Sequence, residues 1–336
     1  ASASSAGTEP SCTPSTKARR ACSSTSLSWP PVADPAPSQT SGATGPPPVV
    51  GFLGPTGTFT EQALLTQADL AAGDLRPLAS ISEVLAATSD GTVDLGFVPI
   101  ENAIEGTVNV TLDTLTFEAD LLIQREVVIS IELDLLAPVG ASLDGIERVL
   151  SRPMATAQCR RFLNAHLPGV ELEATNSTAD AARIVGERGD PTAAAISTRL
   201  AAELHGLDVI ATDVEDHPEN QTRFVVVAGA GVPAPTGHDK TTIVVFQRAD
   251  RPGSLLSILQ EFAARAINLT KLESRPTKKG LGDYCFIIDL EGHIDDELVA
   301  DCLRDIRSKQ QDVKYLGSFP AAGERGPEVR REAEAA

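Results

Sequence analysis

From Val49 onward the chain alternates short apolar runs with stretches of helical periodicity, and that alternation narrows its possible folds more than any other feature. Val49-Val50-Gly51-Phe52-Leu53 reads as a strand and Gly54-Pro55-Thr56-Gly57 as a turn. Thr58 to Leu65 opens a helix, with Thr58 and Glu61 at capping-box spacing. Further strands are predicted at 94–98, 127–137, 147–150, 193–197 and 224–228, with helices at 81–89, 155–167, 177–187 and 198–204. Such a series winds a sheet covered on both faces, which makes this region α/β.

A second unit follows a Pro-rich linker at 233–239. Its order is strand 241–247, helix 254–266, strand 268–275, turn 278–280, strand 283–290, helix 295–307 and strand 313–316. This is the ferredoxin-like βαββαβ arrangement. Expected boundaries are a disordered tail at 1–48, a first domain at 49–229, the linker at 230–240, the second domain at 241–320 and a loose end at 321–336.

A net charge of -18 argues against nucleic-acid or anionic-membrane partners, which require clustered cations. Any anionic substrate must then be held by a local pocket. No apolar run of about 18 residues is present, so no membrane-spanning helix is expected. Cys12, Cys22, Cys159, Cys285 and Cys302 are widely spaced, which suggests reduced thiols in a cytosolic-type compartment. The tail holds Lys17, Arg19 and Arg20 against few acids, a faint organelle-targeting likeness, although a plain disordered extension is the favoured reading. The scattered His166, His205, His217, His238 and His293 indicate neither a His-centred triad nor a metal site.

Polar clusters recur at element ends. Asp94 to Ile100 runs into Glu101-Asn102, expected at the mouth of a buried strand with Pro99 closing it. Thr56, Gly57 and Thr58 mark a helix N-terminus, where free N–H groups favour an anion. Ser151-Arg152-Pro153 precedes a helix containing Gln158. Asn176-Ser177-Thr178 is another N-terminus, and Asn220-Gln221-Thr222-Arg223-Phe224 opens a strand. Each is weak alone, because N-caps are usually Ser, Thr, Asp or Asn for structural reasons.

Taken in order, Gly54-Pro55-Thr56-Gly57-Thr58-Phe59-Thr60, Pro99-Ile100-Glu101-Asn102, Ser151 with Gln158-Cys159, and Thr222-Arg223-Phe224 resemble the motifs of prephenate dehydratases. Arg251-Pro252-Gly253-Ser254-Leu255 and Glu273-Ser274-Arg275-Pro276 resemble an ACT regulatory domain. The likeness spans roughly 49–320 and departs from the family at Ala103, Arg152 and Ser254. It implies a two-lobed, periplasmic-binding-protein-like catalytic region with the site between lobes, a homodimer or homotetramer, and no cofactor or metal.

The implied reaction converts prephenate to phenylpyruvate, with phenylalanine as effector. By resemblance, Thr222 is the residue that hydrogen-bonds or protonates the leaving hydroxyl. Substrate contacts are implied for Thr56, Thr58, Glu101, Asn102, Ser151, Gln158, Ser177, Thr178, Arg223 and Phe224. Glu101 beside a dianion is repulsive unless protonated or turned away, and Arg223 is open between counter-charge and solvent. Effector contacts are implied for Gly253, Ser254, Leu255, Asn268, Leu269, Glu273, Ser274, Arg275 and Pro276. The linker suggests that cutting after Ala234 leaves a desensitised catalytic region. No segment before Val49 resembles a chorismate mutase, so a single activity is expected. An arogenate dehydratase and a non-catalytic two-lobed ligand sensor are the alternative readings.

Overall fold

The computed structural model describes residues 47–248, 251–278 and 283–323. Most of the tail expected at 1–48, the 278–280 turn beyond Lys278 and the expected loose end beyond Gly323 lie outside the described residues, as do Cys12 and Cys22.

Three sheets organise the chain. The first has the order β2 (Asp74–Leu78), β1 (Val49–Leu53), β3 (Leu95–Asn102), β11 (Gln221–Ala228) and β5 (Leu122–Ser130), with β4 (Gly106–Thr107) paired to β3. Helices α1 (Phe59–Leu65), α2 (Ala68–Ala71), α3 (Ile81–Ser89) and α4 (Asn109–Phe117) belong to this lobe. Val50, Phe52, Phe97 and Phe224 cluster with α1 on one face, where the Phe97 and Phe224 rings stack at 5.4 Å. The second sheet has the order β10 (Leu207–Ala211), β6 (Asp134–Pro138), β9 (Ala193–Ser197), β7 (Arg148–Ser151) and β8 (Glu171–Ala174). Its helices are α5 (Pro153–Gln158), α6 (Arg160–His166), α7 (Thr178–Arg188) and α8 (Arg199–His205).

The single strand expected at 127–137 is two strands in different sheets. The chain crosses to the second lobe after β5 and returns before β11. These crossings are bonded to each other: the Val214 N–H donates to Leu133 O and the Ile131 N–H to Asn220 O, both at 2.8 Å. The helix expected at 155–167 breaks at Cys159, whose φ of -114° and ψ of 19° leave the helical region. Pro99 does not close β3. It sits inside the strand next to a bulge, where a missing N–H costs the ladder little.

The third sheet has the antiparallel order β13 (Leu269–Pro276), β14 (Tyr284–Glu291), β12 (Asp239–Phe246) and β15 (Asp312–Pro320), with α9 (Ser254–Ala263) and α10 (Glu297–Lys309). That is the expected βαββαβ order. One face of this sheet completes the core of the first lobe: Val244, Cys285, Ile287, Leu316 and Phe319 join Val98, Ile100, Leu112, Leu115, Val225 and Val227. At Gly317 the approach leaves no room for a side chain, since a Cβ would lie 2.4 Å from the Ile123 carbonyl oxygen and φ is +140°. The linker is also tied down. Asp239 accepts hydrogen bonds from Thr236 and from the Gly237 N–H, and His293 Nε2 lies 2.9 Å from Pro233 O. Among the described residues, no helix is long and apolar enough to cross a membrane.

Candidate active site

The carboxyl ends of β1 and β3 and the amino end of β11 lie at one edge of the first lobe, because β11 runs antiparallel to β3. In the second lobe β7, β8 and β9 are mutually parallel and end together. Two contacts bring these edges face to face. Thr198 Oγ1 donates to Gly57 O at 2.7 Å, and Gln158 Nε2 donates to Glu105 Oε1 at 3.2 Å. The strand ends of both lobes therefore border one cleft.

At its hinge, Thr222 and Asn102 are register partners on β11 and β3. Asn102 Nδ2 donates to Thr222 Oγ1 and to Asn220 Oδ1, each at 2.9 Å. Its Oδ1 accepts from the Ile104 N–H at 3.0 Å and the Glu105 N–H at 2.9 Å. An amide engaged at both ends is a fixed support, so Asn102 serves Thr222 more than it serves a ligand. Thr222 is buried, and its own proton has no acceptor among the described residues. Asn220 is the contributor that the sequence reading left out of the site; its place inside a polar run was the available signal.

The remaining expected residues divide. Thr56 is exposed on the turn after β1. Thr58 caps α1 by accepting from the Glu61 N–H, while Glu61 Oε2 takes the Gly57 N–H at 2.5 Å, so an internal carboxylate already fills part of that anion seat. Ser177 caps α7 through the Asp180 N–H at 2.9 Å, with Thr178 as the first helical residue. Ser151 is wholly buried and donates to Ile196 O at 2.7 Å, which makes it a strut between β7 and β9.

Glu101, Arg223 and Phe224 have partners outside the cleft, Phe224 in the core of the first lobe. Strand neighbours point to opposite faces, so a residue next to Thr222 cannot share its direction. Arg223 turns to the third sheet, where Nε donates to Glu126 Oε2 and Nη1 to Asp289 Oδ2, both at 2.6 Å. Burial opposes the charged guanidinium, but Asp289, Glu126 and Glu101 outweigh it and hold it protonated. Glu101 lies 3.2 Å from Lys271 Nζ and 3.5 Å from Arg223 Nη1. Phe224 is core. Of the two open readings of Arg223, a solvent-facing side chain does not fit one that is only 12% exposed, and its charge meets Glu126 and Asp289.

On the ACT-like unit, a groove of about 530 Å³ is lined by Arg251, Gly253, Ser254, Leu255, Ser274 and Phe286, among others. Gly253 has φ +89° at its lip. Glu273 and Arg275 have their partners on the other face of the sheet. They alternate with Ser274 along β13 and face the first lobe, where Glu273 Oε2 accepts from Thr107 Oγ1 at 2.6 Å and Arg275 pairs with Asp113. Asn268, Leu269 and Pro276 are not lining residues of the groove.

Comparison with known proteins gives family matches for both regions of the chain. A prephenate dehydratase family model matches residues 50–231, and an ACT domain model matches residues 241–308. A prephenate dehydratase of Mycolicibacterium vanbaalenii is 42% identical over 288 residues, covering 81% of this chain and 91% of its own length. The crystal structure of an Arthrobacter aurescens prephenate dehydratase in complex with L-Phe superposes with a TM-score of 0.78 and 38% identity, covering 85% of this chain and 97% of that one. The structure of GqqA, described as a novel type of quorum-quenching acylase, has a TM-score of 0.74 and 29% identity, covering 82% of this chain and 98% of its own.

Proposed function

The chain belongs to the prephenate dehydratase family and is a hydro-lyase, and we propose that Thr222 is the group that meets the leaving hydroxyl of prephenate at the hinge of the cleft. Residues 49–229 serve as the catalytic unit and 241–320 as the regulatory one. In the reaction the bond to the ring carboxylate breaks, its electron pair aromatises the ring, and the C–O bond breaks with hydroxide taking one proton. The products are phenylpyruvate, CO2 and water. The barrier lies in expelling hydroxide, so a donor aimed at that oxygen is the chief requirement.

The Asn102 to Thr222 hydrogen bond carries this reading. By occupying one lone pair of Oγ1 it fixes the hydroxyl rotor and directs the Thr222 proton elsewhere, toward the cleft. A threonine hydroxyl is a weak acid, so it acts by holding a hydrogen bond that strengthens as charge develops. The carboxylates of the substrate are met by the turn at Thr56 and by the N-terminus of α7 at Ser177 and Thr178, where helix N–H groups favour anions. Gln158, bridging to Glu105, closes the second lobe over the substrate. An acyl-transfer reading fits the same atoms less well. A nucleophilic threonine needs an adjacent base, and the neighbour of Thr222 is an amide.

L-phenylalanine binds the groove at Gly253, Ser254, Leu255 and Ser274 as effector. β13 carries Ser274 on the groove side and Lys271 against Glu101, the residue before Asn102 on β3, so one strand links the groove to the strand that holds the support of Thr222. The chain works as a cytoplasmic homodimer or homotetramer. The deciding assay is phenylpyruvate release from prephenate by the purified protein, run beside arogenate. Preferential turnover of arogenate to phenylalanine would move the substrate assignment to the amino analogue, and absence of turnover with either would remove Thr222 from a catalytic role.

A further inference from the structure

The two residues assigned to the cleft have neighbours that are spent elsewhere. Thr222 is followed by Arg223 and Asn102 is preceded by Glu101, and both neighbours are held by strands of the third sheet. The Arg223 side chain is only 12% exposed, and Asp289 on β14 and Glu126 on β5 are more deeply buried still. Each carboxylate is braced in turn. Thr242 Oγ1 donates to Asp289 Oδ1 at 2.7 Å, while Lys240 Nζ and the Ala322 N–H donate to Glu126 Oε1 at 2.8 and 2.7 Å. On the neighbouring strand, Lys271 Nζ reaches Glu101 and also donates to Thr107 Oγ1 at 3.1 Å.

Consecutive residues of a strand share a peptide plane and rise only about 3.3 Å, so a clamp on Arg223 is a clamp on the backbone that aims Thr222. A buried guanidinium held by two carboxylates with defined geometry resists small displacement, because shifting it away from either leaves a charge uncompensated.

We propose that Arg223, gripped by Asp289 and Glu126, is a positioning residue for the dehydration. The third sheet is thereby a working part of the active site whether or not an effector is bound. The clamp fixes where β11 enters the first sheet, and hence the distance and angle between the Thr222 hydroxyl and its Asn102 support. This rests on the reading of Thr222 as the group that acts on the leaving hydroxyl.

The test is a double-mutant cycle in the full chain, with Thr222→Ala, Asp289→Asn and the pair. Asp289→Asn keeps an oxygen for Thr242 and removes the charge facing Arg223. The expected result is a kcat lower by about 10–100-fold, the cost of a misplacement of an ångström or less, with KM within about twofold. In the Thr222→Ala background the same change should cost little more, since nothing remains to be aimed. If Asp289→Asn does not fold, Thr242→Val unbraces Asp289 from the regulatory side and should lower kcat in the same direction by a smaller factor. A normal kcat in a folded Asp289→Asn or Thr242→Val enzyme overturns the proposal. So does an equal fall in kcat in both backgrounds, which would mark the cluster as general support. A full-rate Thr222→Ala enzyme would instead overturn the reading of Thr222, and the clamp with it.

Discussion

Asn102 Nδ2 reaches the Thr222 hydroxyl across 2.9 Å although the two residues lie 120 positions apart in the chain. One side chain locates the other, and neither is free to wander. Thr222→Ala is expected to lower kcat roughly 10²–10⁴-fold, the usual worth of a positioned proton donor. Thermal midpoint should change little, because the substitution is at a strand end and Asn102 keeps its bond to Asn220. Thr222→Ser should recover most of the rate. Steady-state kinetics with prephenate beside a melting curve checks this, and a full-rate Ala variant would be inconsistent with it.

Effector binding is expected to be separable from turnover. Ser274→Phe places a ring in the groove at Gly253 to Leu255 while β13 keeps its opposite face on the first lobe. Calorimetric titration should show phenylalanine affinity weakened by at least about tenfold, within the ~5–150-fold span of ordinary allosteric couplings. The rate without effector should stay near wild type. Inhibition that remains unchanged and competes with prephenate would place phenylalanine in the cleft instead.

Cutting the chain after Ala234 is expected to yield an insoluble or inactive product and not a desensitised enzyme. The third sheet covers Val98, Ile100, Leu112, Leu115, Val225 and Val227, and its removal opens a contiguous apolar face. It also leaves Arg223 without Asp289. Size-exclusion chromatography and an activity assay of the truncated protein decide the matter. A stable, active monomer would mean that the shared core contributes little.

Acid should loosen the contact between Asp113 and Arg275. Burial raises the Asp113 carboxyl, but Arg275 and Lys278 outweigh it and hold it below the ordinary carboxylate range. Its folded pKa is therefore depressed. The stabilisation is complete above the unfolded value near ~3.9 and is lost as pH falls through the folded value. The midpoint difference between wild type and Asp113→Asn should be largest near neutrality and vanish once the pH lies below the folded value. A difference independent of pH would assign the effect to packing.

Cys159, Cys285 and Cys302 are buried as free thiols. Burial pushes the Cys285 and Cys302 thiols up to about 11 and raises Cys159 as well. In native protein at about pH 8 these should resist alkylation, since the thiolate is the reactive form. Peptide mapping before and after denaturation would reveal any exception.

Much of the architecture was legible because apolar periodicity reports burial, and β1, β9, α3 and the βαββαβ order follow from it. What was missed has physical causes. β2 and β8 are edge strands whose sequences, Asp-Leu-Arg-Pro-Leu and Glu-Leu-Glu-Ala, carry little apolar signal. α4 is rich in Thr and Val, which lowers helix propensity, and packing of Leu112 and Leu115 overrides it. In the candidate site, the motifs named Thr222 and Asn102, which the fold brings within hydrogen-bond distance of each other. That Glu101, Arg223, Glu273 and Arg275 turn away from Thr222 and from the groove was not legible, because a contiguous motif on a strand serves two faces. The second face is occupied only once the third sheet is known to lie there.

The second lobe is inserted within the first, and β11 takes its place between β3 and β5 only after the chain has returned from that excursion. During synthesis, therefore, the first sheet has a vacant central lane while the whole second lobe emerges. Until β11 arrives, β3 and β5 present unpaired edges to other chains, the kind of exposure that chaperones shield. Ribosomal order makes the Thr222 hydroxyl one of the last parts of the first lobe to be seated, and a nascent chain stalled before residue 221 has every other strand of both lobes but lacks the one that carries it.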